Sequence, residues 1–199
     1  MRYIFSLIGA IIIVFGIYTA GVYLDLYGEL EGPGSSIDSE LPESLVKAKL
    51  DAQKPFEKEK QILFGDTHVH TTYSTDAFLW SLPILNGEGP HPISDACDFA
   101  RFCANLDFWV STDHAEALTP RKWKSIKEAV RNCNNPTDKN EPDLVTFLGY
   151  EWTQVGNTAK DHYGHKNVMF LDIEEDKVPK RAIGAGGIAT NGMRSGLPN

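Results

Sequence analysis

Apolar and polar positions divide this chain into one long uncharged block and a series of short apolar runs, each bordered by polar residues. The block extends from Tyr3 to Leu24 and contains IFSLIGAIIIVFGIYTAGVYL. About twenty apolar residues at helical rise cross a hydrocarbon core, whereas the core of a signal peptide is usually shorter. The segment therefore predicts a transmembrane anchor. Thr19 and Gly21 also offer a weak small-x-small cleavage site, so an exported soluble form stays open beside the anchor. Arg2 precedes the block, and Asp25, Glu29 and Glu31 follow it. This asymmetry favours an N-terminus inside and the main domain outside.

The pattern changes from Glu31 to Lys60. GPGSS reads as a flexible linker, and SLVKAKLDAQKPFEKEK as a short surface helix interrupted at Pro55. Folding is expected to begin near Gln61, with ILFG as a buried strand. ISDACDFARFCANL, introduced by Pro92, places Ala96, Phe99, Ala100 and Cys103 on one helical stripe. DFWVS is a second strand. Thr119 and Pro120 start a further helix, whose apolar face of Trp123, Ile126 and Val130 lies beneath Arg121, Lys124, Lys127 and Glu128. NPTDKNEPD closes it, and LVTFLG and NVMFL supply the third and fourth strands. The order β, α, β, α, β, β predicts a parallel α/β scaffold. Three segments result: an anchor or signal over 1–24, a linker and surface segment over 25–60, and a folded region over 61–199. The late GAGGIATNGMRSG lacks the spacing of a phosphate-binding glycine loop and reads as an ordinary loop.

Charge narrows the partners. With 27 acidic against 19 basic residues and a net charge of -8, the chain repels nucleic acid, and no nucleic-acid partner is expected. A bound cation reverses that sign locally, so a phosphorylated substrate remains compatible. Cys97, Cys103 and Cys133 form an odd set without CxxC spacing. They read as small core or helix residues, and a bridge between Cys97 and Cys103 is geometrically awkward.

Metal-ligand residue types recur where apolar runs meet loops. His68 and His70 follow ILF, Asp113 and His114 follow LDFWV, Glu151 follows LVTFLG, and His165 precedes NVMFL. Four of the six histidines are in this set. On an extended segment the two-residue period points His68 and His70 to one side, where both can bind one cation or adjacent cations. Asp66 and Asp76 either ligate metal, orient imidazoles or cap turns. Asp113 can orient a neighbouring group while His114 binds metal, and Glu151 can bridge cations through its two oxygens. Glu116 reads as an exposed cap, and His162 as a local polar residue or a metal or substrate contact. Tyr73 and Lys166 are candidates for substrate contact or for core and surface roles.

Through GDTHVHTTYSTDA, LDFWVSTDHAE, FLGYEWT and GHKNVMF, the stretch from Leu63 to Leu171 resembles the polymerase-and-histidinol-phosphatase (PHP) superfamily. It is most similar to the bacterial domain-of-unknown-function 3604 family. The resemblance implies a distorted (β/α)7 barrel with a metal cluster at its C-terminal strand ends. It implies His68, His70, Asp76, His114, Glu151 and His165 as metal-site residues, with Asp113 supporting them. Such proteins carry further histidines and an aspartate-containing segment downstream. No histidine follows His165 here, so the sequence is expected to be the N-terminal portion of a longer protein with a partial barrel.

The function expected is metal-dependent hydrolysis, with Asp113 and Glu151 in catalytic roles and a small phosphorylated or ester substrate. Zn or Mn suits the mixed imidazole and carboxylate set, with two or three ions in the complete domain. A noncatalytic metal-stabilised binding module is the alternative, as is a hydrolase of a nonphosphate ester or amide. The expected location is the bacterial inner membrane, facing the periplasm.

Overall fold

The computed structural model describes residues 2–24, 26, 32–54, 61–89, 91–134, 142–154, 156 and 158–184. The chain forms two compact units, Met1–Leu30 and Glu31–Asn199. Helix α1 (Arg2–Tyr23) makes up most of the first. Its stretch Tyr3–Gly21, 19 residues with a mean hydropathy of 2.2, is long and apolar enough to cross a membrane. Ile11 to Phe15 are all exposed on it, so the helix has no polar face to offer water. The acidic residues Asp25, Glu29 and Glu31, the helix break at Pro55, most of the NPTDKNEPD connection and the glycine-rich stretch after Gly184 lie outside the described residues.

The second unit is built on a four-stranded sheet in the order β1 (Gly65–Val69), β2 (Phe108–Ser111), β3 (Val145–Gln154) and β4 (Gly164–Phe170). β1, β2 and β3 run parallel, as the alternation of strands and helices predicts. β4 runs antiparallel to β3, which corrects the expectation of a wholly parallel scaffold. The stretch between Gln154 and Gly164 is shorter than the dozen or so residues a parallel crossover needs, so the chain turns back as a hairpin. The sheet is curled, an incomplete half-barrel with several helices. Asn167 on β4 donates its side-chain amide to the Thr67 carbonyl on β1 at 2.7 Å. Flat strands spaced about 4.8 Å apart would hold those edges roughly 14 Å from each other.

Helices α2 (Glu43–Gln53), α3 (Thr75–Ser81), α4 (Ile93–Asp98) and α5 (Pro120–Asn134) complete the unit. α2 buries no residue. Lys49 ties it down by pairing with Asp107 at 3.2 Å and donating to the Leu106 carbonyl. Upstream, Ser94 N–H donates to the Pro33 carbonyl, and Ile37 N–H to Asp98. Part of the segment expected as linker is thus hydrogen-bonded to the sheet unit.

α5 follows its apolar stripe. Trp123, Ile126 and Val130 are fully buried, each contributing about 1.5–3 kcal/mol by leaving water. The Trp123 ring packs edge-on against Tyr150 of β3, 5.9 Å between centroids. Thr119 accepts the Lys122 N–H and caps the helix start. Lys127, expected on the polar face, is buried along its stem and pairs with Glu175.

Three other local expectations shift. The first strand starts at Gly65 and the ILF residues before it are exposed, so His68 lies within β1. β3 runs on through Gln154, which puts Glu151 inside the strand. In the helix after Pro92, Ala100 is buried but Phe99 and Cys103 are exposed. Residues Phe99–Cys103 form a π-helical turn after α4, and its wider winding rotates the following side chains off the expected stripe. Arg101 is buried instead, held by Asp143 through two guanidinium nitrogens at 2.7 and 3.1 Å.

Cys97 on α4 and Cys133 on α5 form a disulfide, with Cα atoms 6.0 Å apart. This overturns the reading of Cys97 and Cys133 as unbridged core or helix residues, while Cys103 is free. The partners stand 36 residues apart, a pairing that only the packing of α4 on α5 reveals. Replacing both with alanine should lower the unfolding free energy by roughly 2–4 kcal/mol. Urea melts of oxidised, reduced and variant protein measure it, and identical midpoints in all three would count against the crosslink.

Candidate metal centre

The loops after β1 and β2 are fastened to each other residue by residue. Thr112 accepts the Val69 N–H at 2.8 Å through its hydroxyl. Asp113 accepts the Thr71 N–H at 2.6 Å on one oxygen and the Thr71 hydroxyl at 2.8 Å on the other. His114 N–H donates to the Ser74 hydroxyl at 2.9 Å. These bonds fix the backbone that carries His68, His70 and Asp76 against the backbone that carries His114. Asp113 is fully buried; burial pushes its carboxyl above the usual aspartate range, with the Thr71 and Ser74 donors pulling the other way. It braces the turn from beneath.

Between Asp66 and Val69 the pairing with β2 loses register, since three steps on β1 match two on β2. Such a bulge re-aims side chains. Asp66 fixes it by accepting the His68 N–H at 2.9 Å, which is a turn-capping role. His68 and His70 then converge as the alternation predicts, their Nε2 atoms 3.0 Å apart.

Glu151 stands at the centre on β3, 1% exposed. Its Oε2 lies 2.8 Å from His70 Nε2, 3.3 Å from His68 Nε2 and 3.5 Å from His114 Nδ1. Its Oε1 is against His165 Nδ1. Thr153, one step further on the same strand face, lies 3.2 Å from His114 Nδ1 and 3.1 Å from His165 Nδ1. Its partner across the hairpin is His165. Gly149, two residues before Glu151 on that face, has no room for a side chain. A Cβ would stand 2.6 Å from the Val168 carbonyl oxygen, 2.9 Å from a Val110 methyl and 3.0 Å from the Ser111 carbonyl oxygen.

Asp76, in the first turn of α3, completes the set. Its carboxylate oxygens lie 3.4 Å from His70 Nδ1 and 3.2 Å from His114 Nε2. Burial raises its carboxyl, but the Ala77 N–H and the neighbouring His114 and His70 outweigh that and hold it below the usual range.

The donor atoms suit cations. His68, His70 and Glu151 form one group, His70, Asp76 and His114 a second, and His114, Glu151 and His165 a third, each with its ligand atoms within 4.8 Å of one another. Every group shares a residue with each of the others, which describes one compact cluster. Despite three imidazole nitrogens nearby, Glu151 Oε2 is buried without an aligned hydrogen-bond donor. A desolvated carboxylate oxygen in that position costs several kcal/mol unless it is paired, and lone-pair donors facing it leave room for a positive charge. His68 and His165 are both about half exposed, so the cluster opens to solvent.

All six residues expected to ligate metal are therefore together. Other candidates have other partners. The Tyr73 hydroxyl donates to Ser125 on α5, Lys166 to the Tyr163 carbonyl, and His162 N–H to the Thr158 carbonyl. Glu116 is buried, not exposed, and accepts the Thr153 N–H at 3.4 Å. Thr153 was absent from the sequence expectations, although its place two residues after Glu151 on an extended strand is a usable signal.

Residues 57–121 match the family described as "Protein of unknown function (DUF3604)". The match takes in His68, His70, Asp76, Asp113 and His114 and ends before Glu151 and His165. No curated protein and no solved structure matches the chain.

Proposed function

We propose that this chain carries the metal-dependent hydrolytic centre of a PHP-type phosphoesterase. The buried Glu151 carboxylate, with its unsatisfied Oε2 facing the imidazoles of His68, His70 and His114 and its Oε1 against His165 of β4, is the observation that carries the reading. A structural metal site is closed, whereas a catalytic one keeps a position open to water or substrate. The half-exposed His68 and His165 support the second kind. Zn or Mn suits the mixed ligand set. When bound, divalent cations supply Lewis acidity that makes water a better nucleophile and offsets the charge developing on phosphoryl oxygens.

The protein's own residues have separable tasks in this proposal. His68, His70, Asp76, His114 and His165 hold the cations, and Glu151 joins the groups through its two oxygens. Thr153 orients His114 and His165 by hydrogen bonding to their Nδ1 atoms. Asp113 is a positioning residue, because both its oxygens are engaged by Thr71.

Full-length protein purified with Mn or Zn should contain the metal and hydrolyse p-nitrophenyl phosphate in preference to p-nitrophenyl acetate. His70→Ala and Glu151→Gln should lose most of the bound metal and the turnover. Asp113→Asn should lose roughly 10–100-fold in either quantity, with the fold retained. Metal analysis, kinetics and circular dichroism separate these outcomes. Metal binding without turnover of either ester would instead identify a binding module, and hydrolysis of the acetate alone an esterase. Wild-type metal content and rate in all three variants would end the proposal.

We also propose that the sheet unit lies outside the cytoplasm, with α1 as its anchor or export signal. Two independent features support this: an apolar helix of membrane-crossing length and a disulfide, which persists in oxidising compartments. Protease added to cells with a permeabilised outer layer and intact inner membrane should digest the region after Leu24. Protection of that region, with a periplasmic control digested, would refute the topology.

A further inference from the structure

A cavity of about 440 Å³ opens beside the metal centre, with His70 and Thr71 at one end. Its volume falls within the range of small-molecule sites. Ala77 and Ser81 on α3, Ala96 on α4 and Phe99 of the π-helical turn belong to its lining. Glu88, His91 and Asp95 stand at its rim. The Thr72 hydroxyl donates to the His91 carbonyl at 3.2 Å, and the His91 ring lies 3.0 Å from Asp95, so the rim is tied to the turn that follows His70.

Two properties of this lining select a ligand. Among the described residues that line it there is no lysine or arginine, while there are two carboxylates. An anionic group would meet the Glu88 carboxylate and an Asp95 already engaged by the His91 ring, and the net charge of -8 adds long-range repulsion. The Phe99 ring, 63% exposed, is an apolar surface left in water. An aromatic face beside carboxylates is the usual setting for an organic cation.

We propose that this cavity binds a compact apolar group bearing an ammonium, the organic part of a substrate whose ester is presented to the cluster at the His70 end. Its use during hydrolysis rests on the phosphoesterase reading; ammonium binding does not. The pocket orients this group and leaves the phosphoryl group, the only anionic part of the ligand, to the cations.

Benzyltrimethylammonium, benzyl alcohol and benzoate serve as probes of matched shape. Calorimetric titration of detergent-solubilised full-length protein, with a chelator present so that benzoate has no metal to bind, ranks them. Benzyltrimethylammonium should bind at least about tenfold more tightly than benzyl alcohol, equivalent to roughly 1.4 kcal/mol, and benzoate should not bind. Glu88→Gln combined with Asp95→Asn, both at exposed positions, should erase the preference for ammonium while leaving the alcohol bound. Ala96→Trp should exclude both. Benzoate binding as tight as that of ammonium, or an ammonium preference untouched by the carboxylate variants, would overturn the proposal. A protein that binds ammonium but hydrolyses no phosphate ester keeps the pocket and loses the phosphoesterase reading. One that turns over p-nitrophenyl phosphate without binding ammonium does the reverse.

Discussion

The second unit is organised around a carboxylate that has been taken out of water. Glu151 is 1% exposed on a central strand of the sheet, and an uncompensated charge there costs several kcal/mol. The surrounding architecture brings imidazoles to it from three directions, yet Oε2 is left without an aligned donor. The curl brings β1 and β4 toward each other, the bulge on β1 turns His68, and the hairpin sets His165 across from Thr153. Remove the need to pair that carboxylate and these features have no common purpose.

Precision at the cluster comes from groups that never reach it. Thr112, Asp113 and Ser74 each make a hydrogen bond that holds one step of the two adjoining loops. Loops are ordinarily the mobile part of a domain. Here the ones beside the cluster are locked by buried partners, so the imidazoles can approach one another closely although His68 and His165 remain open to solvent. The same division holds at the neighbouring cavity, where Thr72 fixes the turn and the rim carries the charge.

The sequence discloses the residues of the cluster better than it discloses their setting. His68 and His70 are legible because alternation along an extended chain is a purely local rule, and His114 and Glu151 because they interrupt or follow strongly apolar runs. The stripe on α5 is legible for the same reason. Phe99 is misplaced because a π-helical turn changes the winding without changing composition. The disulfide and the Arg101–Asp143 pair depend on which helices and loops meet, which no spacing encodes. The reversal of β4 was open to inference from the short stretch before it, but the strand order alone pointed to a parallel sheet. Asp113 reads as a chemical residue by type, and its engagement with Thr71 becomes visible only once the two loops are side by side.

Gly149 sets a limit on how this centre can vary. Two residues before Glu151 on the same face of β3, it is enclosed by the Val168 and Ser111 carbonyls and a Val110 methyl, packed too closely for a side chain. Two of the three near atoms are main chain of the strands on either side, so the space there is fixed by the spacing of strands. Variation is therefore channelled outward: the exposed rim can exchange residues and acquire new selectivity, while position 149 stays glycine under any sequence that keeps this register.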